Sequence, residues 1–197
     1  MYFLDKLSFS YLEYKINNSY SRRLEKYGNT PQGLFWKNSF TQIYRFELIF
    51  DAMRKHHNLE HFKVCDIGCG YGKFLEFLQK KLDSSTFHYQ GCDLNIKLLD
   101  FCKRNHSNKF CKFYKKSEPE STVDFSIMSG TYNLIVTNDI RMWEKYLLTN
   151  LSNIWQKTKK KMIFNLLHRN EKRIEAGLYY TNREWIKNVC EQKFGKT

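Results

Sequence analysis

The stretch VCDIGCGYG, residues 64–72, constrains this 197-residue chain more than any other. A short apolar run ending at Ile67 is followed by glycines at every second position, Gly68, Gly70 and Gly72. The next segment, GKFLEFLQKKL, sets Phe74, Leu75, Leu78 and Leu82 on one helical face. The order reads as strand, tight turn, helix. Such a turn brings backbone N–H groups to the carboxyl edge of a sheet, where α/β proteins bind ligands, and glycine permits both positive φ and close approach.

The pattern recurs. Ile43, Phe46, Ile49, Phe50 and Met53 predict an amphipathic helix over 40–55. After the glycine turn, FHYQGCD predicts a strand, IKLLDFCKR a helix, KFCKFY a weak strand, TYNLIVTN (131–138) a strong strand, 142–157 a helix and KKMIFNLL a fifth strand. TNRE at 181–184 has the form of a capping box opening a last helix with Trp185, Ile186 and Val189 inward. Strands alternating with helices imply a mostly parallel sheet covered on both faces. The expected divisions are an N-terminal extension or lid segment, 1–39, and a ligand-binding domain, 40–197.

Composition sets limits. With 42% hydrophobic and 17% aromatic residues the chain is globular rather than disordered, and its length suits one core. No stretch approaches the roughly 20 apolar residues of a membrane span, and the charged start is unlike a signal peptide, so a cytoplasmic protein is expected, with no membrane partner. The six cysteines form no C-x-x-C pair, which suggests neither a metal site nor a disulfide framework. The net charge of +13 is scattered. It allows weak nucleic-acid binding, but its densest cluster, KTKKK at 157–161, falls where lysines favour a helix C-terminus.

The ligand can be narrowed from two carboxylates. In the dinucleotide fingerprint G-x-G-x-x-G a third glycine would stand at 73, where this chain has Lys73. Asp66, at the strand end, suits an ammonium or turn N–H groups better than a pyrophosphate. Asp93, 21 residues after Gly72, ends the next strand, where a carboxylate can accept both ribose hydroxyls. An adenosine with a charged amino-acid tail meets both requirements.

In these motifs the sequence resembles the class I S-adenosylmethionine-dependent methyltransferases. VCDIGCGYGKFLEFL is similar to their glycine-rich first motif, YQGCDLN to their acidic ribose motif, and TYNLIVTND to the strand facing cofactor and substrate. The segments YGNTPQGLFWKNSFTQIYRFELI, FNLL and GLYYTNREWIKNVC are similar to a subgroup of small stand-alone bacterial enzymes, so the likeness covers about residues 20–193. The resemblance implies a Rossmann-like fold and S-adenosyl-L-methionine as cofactor. It implies that Gly68, Gly70 and Gly72 shape the cofactor turn, Asp66 supports the methionine end, Asp93 holds the ribose and Leu94 packs on adenine. Asn138 joins this set, and Arg45, with Gln42 three residues earlier on its helix, reaches the cofactor carboxylate.

Two departures stand out. Where the family offers an acid to the adenine amino group after the third strand, KFCKFYKKSEPES has lysines, which either shifts that contact to Glu118, Glu120 or a backbone carbonyl or weakens it. Five strands are legible rather than seven, the C-terminal strands 6 and 7 being missing. The exposed edge of the fifth strand is then expected to be covered either by the apolar start of the chain or by a second copy in a homodimer. Candidate catalytic bases are Asp139 and His168, with Tyr179 and Tyr180 as wall residues. The alternatives are a helix cap for Asp139, a loop histidine for His168 and packing for the tyrosines. The leading expectation is methyl transfer to a small-molecule acceptor. The alternatives are a nucleic-acid methyltransferase and a truncated S-adenosylmethionine-binding protein without transfer activity.

Overall fold

A computed structural model describes residues 2–55, 59–106 and 108–195. Its centre is a five-stranded parallel sheet of β1 (Phe62–Ile67), β2 (Phe87–Cys92), β3 (Cys111–Tyr114), β4 (Val123–Met128) and β5 (Thr158–Phe164), in the order β3-β2-β1-β4-β5. Strand order reverses beside β1, the switch point at which such sheets open a ligand crevice. The helices are α1 (Tyr2–Tyr27), α2 (Ser39–Arg54), α3 (Lys73–Lys81), α4 (Ile96–Asn105), α5 (Ile140–Gln156) and α6 (Arg183–Phe194). Phe46, Ile49 and Met53 of α2 and Phe74, Leu75 and Leu78 of α3 bury one face of the sheet with Phe62, Phe87 and Phe125. Trp143, Leu147, Leu151 and Ile154 of α5, with Leu12 of α1, bury the other.

The fourth strand is VDFSIM, not the expected TYNLIVTN. Polar Asp124 and Ser126 disguise it, yet both are satisfied by distant partners. Asp124 Oδ2 accepts the Lys63 amide at 2.8 Å, and the hydroxyls of Ser126 and Thr158 bond at 2.7 Å. Residues 131–138 are apolar for another reason. They follow a turn at Gly130 (φ 78°) and pair with a small sheet absent from the sequence reading: β6 (Leu167–His168), β7 (Arg173–Glu175) and β8 (Leu178–Thr181), ordered β6-β8-β7. The Tyr179 amide donates to Asn133 O at 2.8 Å, and the Ile135 amide to Gly177 O at 3.0 Å. Tyr179 is fully buried and its hydroxyl donates to Glu144 Oε1 at 2.7 Å, anchoring the hairpin to α5. Tyr179→Phe is expected to lower unfolding stability by about 1 kcal/mol in denaturant titration.

Other boundaries shift less. The cap of α6 is Asn182 rather than Thr181, accepting the Trp185 amide at 2.8 Å. Of KTKKK only Lys157 ends a helix, because Thr158 already begins β5. Lys161 Nζ instead donates to Ala52 O at 2.9 Å and Lys55 O at 3.1 Å, serving the C-terminus of α2.

The start of the chain does not cover β5. It forms α1, which crosses the carboxyl edge of the sheet. Asp5 pairs with Lys145 at 2.6 Å, Phe9 meets Tyr146 edge-on, Ser21 accepts from Asn95 Nδ2 at 2.9 Å and Glu25 pairs with Lys97 at 3.0 Å. α1 thus spans from the start of α5 to the start of α4. Among the described residues β5 pairs only with β4, and no helix is long and apolar enough to cross a membrane.

Candidate functional site

The glycine turn is built by the chain itself. The amides of Gly68 and Cys69 both donate to Cys92 O, at 2.7 and 3.1 Å, tying the end of β1 to β2. All three glycines have positive φ, a conformation L residues rarely adopt. At Gly70 a Cβ would also lie 2.4 Å from Leu34 Cδ1, because the segment before α2 leans on the turn. Gly72 caps α3 and faces His106, away from the cavity.

Asp93 locks this geometry. Its Oδ2 accepts the Gly70 amide at 2.9 Å and its Oδ1 the Asn95 amide at 2.8 Å. Burial raises its pKa against the pull of these N–H groups. The carboxylate keeps acceptor capacity beyond these amides, and the residue lines a cavity of about 380 Å³ at the carboxyl edge. Asp66 is placed beneath the turn, outside the cavity wall. Its Oδ2 accepts the Tyr89 hydroxyl at 2.8 Å, and burial pushes its pKa up to about 7.

The cavity gathers several predicted residues. Gly68, Gly70, Asp93 and Leu94 form its floor, and Arg45 and Tyr180 its walls. The Arg45 guanidinium lies 4.8 Å from the Trp36 ring centroid, and partial burial lowers its pKa. Gln42 does not line the cavity: it is buried, with its Oε1 3.5 Å from the Tyr71 hydroxyl. Asp139 caps α5, accepting the Met142 amide at 3.0 Å, and neither it nor Asn138 lines the cavity. His168 borders a separate, shallower pocket with Phe164 and Ile186. Glu118 pairs with Lys157 at 2.7 Å and Glu120 with Lys116, so neither lines the cavity.

Sequence reasoning expected a lid segment but did not name the residues of the roof or of the far wall. Ile16, Asn17 and Tyr20 come from α1, Leu34 and Trp36 from the segment before α2, and Tyr132 from the loop after β4. The aromatic density of residues 1–16 was the available signal, but it does not say which edge the helix covers. Two buried polar atoms in the lining, Asn17 Oδ1 and Ser129 Oγ, have no hydrogen-bond partner among the described residues. Buried acceptors and hydroxyls of this kind are the mark of a site awaiting polar ligand atoms.

The architecture has solved counterparts. A methyltransferase from Leishmania major described as S-adenosylmethionine-dependent superposes with a TM-score of 0.63 at 14% identity, over 88% of this chain and 72% of that one. The fold is that of the class I S-adenosylmethionine-dependent methyltransferases. The magnesium protoporphyrin IX methyltransferase of Synechocystis PCC 6803 has it too. Solved with bound S-adenosylmethionine, that enzyme superposes with a TM-score of 0.57 at 13% identity, over 76% of this chain and 67% of that one. Its structure with the demethylated product bound gives 0.58 over the same share of this chain and 71% of its own, again at 13% identity. No protein-family profile matches the sequence, and a search of characterised proteins returns no match. In the methyltransferase fold the glycine turn, Asp93 and the cavity occupy the carboxyl edge at the switch point of the strand order.

Proposed function

We propose that the chain is an S-adenosylmethionine-dependent methyltransferase acting on a small-molecule acceptor. The observation that carries this reading is Asp93, clamped to the glycine turn and lining a cavity that also contains Arg45. The residues present fit the cofactor. Asp93 offers acceptors to two ribose hydroxyls, Leu94 an apolar surface to the base, and Arg45 a bidentate partner for a carboxylate. Asn17 Oδ1 and Ser129 Oγ stand ready for further polar atoms. When bound, the cofactor would supply an electrophilic methyl group, which an acceptor lone pair attacks in line with the breaking methyl–sulfur bond, the thioether leaving with the electron pair.

The protein's share of that reaction is alignment and exclusion of water. Residues 1–39 act as a lid on a catalytic domain, 40–197: α1 crosses the cavity, and Trp36, Tyr132, Leu178 and Tyr180 present apolar and aromatic walls to the acceptor. Such a covered, aromatic-lined cavity suits a small molecule better than a nucleic-acid strand. Among the described lining residues Asp93 is the sole carboxylate and there is no histidine, so the proposal gives neither Asp139 nor His168 a proton to move. An acceptor that is nucleophilic without a protein base fits this lining best.

Calorimetric titration with S-adenosylmethionine and S-adenosylhomocysteine tests the first half, and absence of binding would sink it. Incubation of methyl-labelled cofactor with a metabolite extract and with total RNA tests the second. Label is expected in the low-mass fraction, and label in RNA would overturn the small-molecule assignment. Arg45→Ala should weaken S-adenosylhomocysteine binding at least about tenfold, as loss of a charge-assisted hydrogen bond predicts.

A further inference from the structure

Among the described lining residues no acid besides Asp93 is present to meet the amino group of an adenine, and Glu118 and Glu120, outside the lining, pair with Lys157 and Lys116. α1 offers a different acceptor. Asn17 Oδ1 is buried, lines the cavity and has no donor among the described residues. Its position is fixed on both sides. Three residues on, Tyr20 also lines the cavity, its pKa raised first by burial and then by the charge of the nearby Asp93 carboxylate. Four residues back, Glu13 has its pKa raised by burial and pulled down by the side chains of Ser117, in the loop after β3, and Tyr146 of α5, which places it near both. Residues three and four apart on a helix are surface neighbours, with Cβ atoms about 5–6 Å apart. Asn17 therefore stands between the carboxylate that would hold a ribose and the loop beyond β3, the space a base attached to that ribose would occupy.

We infer that Asn17 of α1 reads the base of the bound nucleoside, its side-chain oxygen accepting the 6-amino N–H of an adenine, so that specificity for adenosyl ligands comes from the N-terminal helix. This rests on the proposed cofactor reading and adds a residue to it. A purine with a 6-oxo group would set one acceptor against another and leave both unsatisfied, a cost that discriminates more sharply than a lost contact. Leu94, the apolar wall beside Asp93, gives the ring a surface but no means of telling amino from oxo.

The test compares S-adenosylhomocysteine with S-inosylhomocysteine, which differ in the 6-substituent and in the proton that N1 carries with it, by calorimetry on the full chain. The wild-type protein should prefer the adenosyl ligand by about tenfold or more. Asn17→Leu, which keeps the helix and removes the oxygen, should weaken the adenosyl ligand about tenfold while leaving the inosyl ligand nearly unchanged, so that the preference collapses. Asn17→Asp keeps an acceptor in place and should keep the preference. An Asn17→Leu protein that retains the preference, or that weakens both ligands alike, overturns the inference, as does an Asn17→Asp protein that loses it. A wild-type chain that binds neither ligand overturns the cofactor reading itself, whereas binding with no preference overturns the role of Asn17 alone.

Discussion

Replacing Asp93 with alanine should weaken S-adenosylmethionine binding by about 1.5–3 kcal/mol, the range for hydrogen bonds to a charged group, which is roughly ten- to more than a hundredfold in Kd. The effect has two sources. The carboxylate would no longer accept from the ribose, and the Gly70 and Asn95 amides, now held at 2.9 and 2.8 Å, would lose their partner and with it the shape of the turn. Asp93→Asn separates them. One amide oxygen can still accept from Gly70 N, so the turn should survive better than ribose binding does. Titration of both variants at a temperature where melting curves show them folded is the measurement. Unchanged affinity in Asp93→Ala would remove the basis for placing a nucleoside here.

Asp93 was legible in the sequence because its surroundings are local. β1, the glycine turn, α3 and β2 follow from runs of under ten residues whose periodicity and glycines leave one reading, and the ligand edge follows from their order. Where partners lie far off, the pattern misleads. Asp124 and Ser126 make β4 look polar, and their partners, Lys63 and Thr158, are 61 and 32 residues away. The segment 131–138 looks like a strand because the hairpin near residue 178 buries it. α1 carries one apolar stripe for the core and another, Leu4, Leu7, Tyr11 and Tyr14, that stays exposed, so its sequence does not announce which side faces inward. Its placement rests on contacts such as Asp5 with Lys145, 140 residues apart. For the same reason the candidate site could be read from its floor but not from its roof. Asp139 and His168 were chosen by their position after expected strands, and the shift of β4 to residues 123–128 leaves Asp139 at a helix cap.

Asp66 gives the second large effect, in the stability of the protein rather than its binding. The side chain is 3% exposed, and burial lifts its pKa from an ordinary 3.8 to about 7, the Tyr89 hydroxyl offsetting part of the rise and the nearby Asp93 adding to it. Between pH 4 and 7 the folded chain therefore holds a proton that the unfolded chain has released. Fewer protons bound in the unfolded state means that stability falls as pH rises through this window and levels off above it. A shift of this size corresponds to about 4 kcal/mol. Asp93 and Glu13, also raised by burial, act with the same sign. The net charge of +13 works the other way, because self-repulsion grows on acidification, so the raw profile of the wild-type protein mixes the two. Subtracting the profile of Asp66→Asn removes that common background. Asparagine can still accept from Tyr89 but never ionises, so the variant should gain on the wild type steadily from pH 5 to pH 7 and hold a constant advantage above it. Denaturant titrations of both proteins at pH 5, 6, 7 and 8 read this difference directly. Parallel profiles would mean that Asp66 ionises in the folded chain as it does in water, and that the floor beneath the glycine turn is wetter than its packing implies.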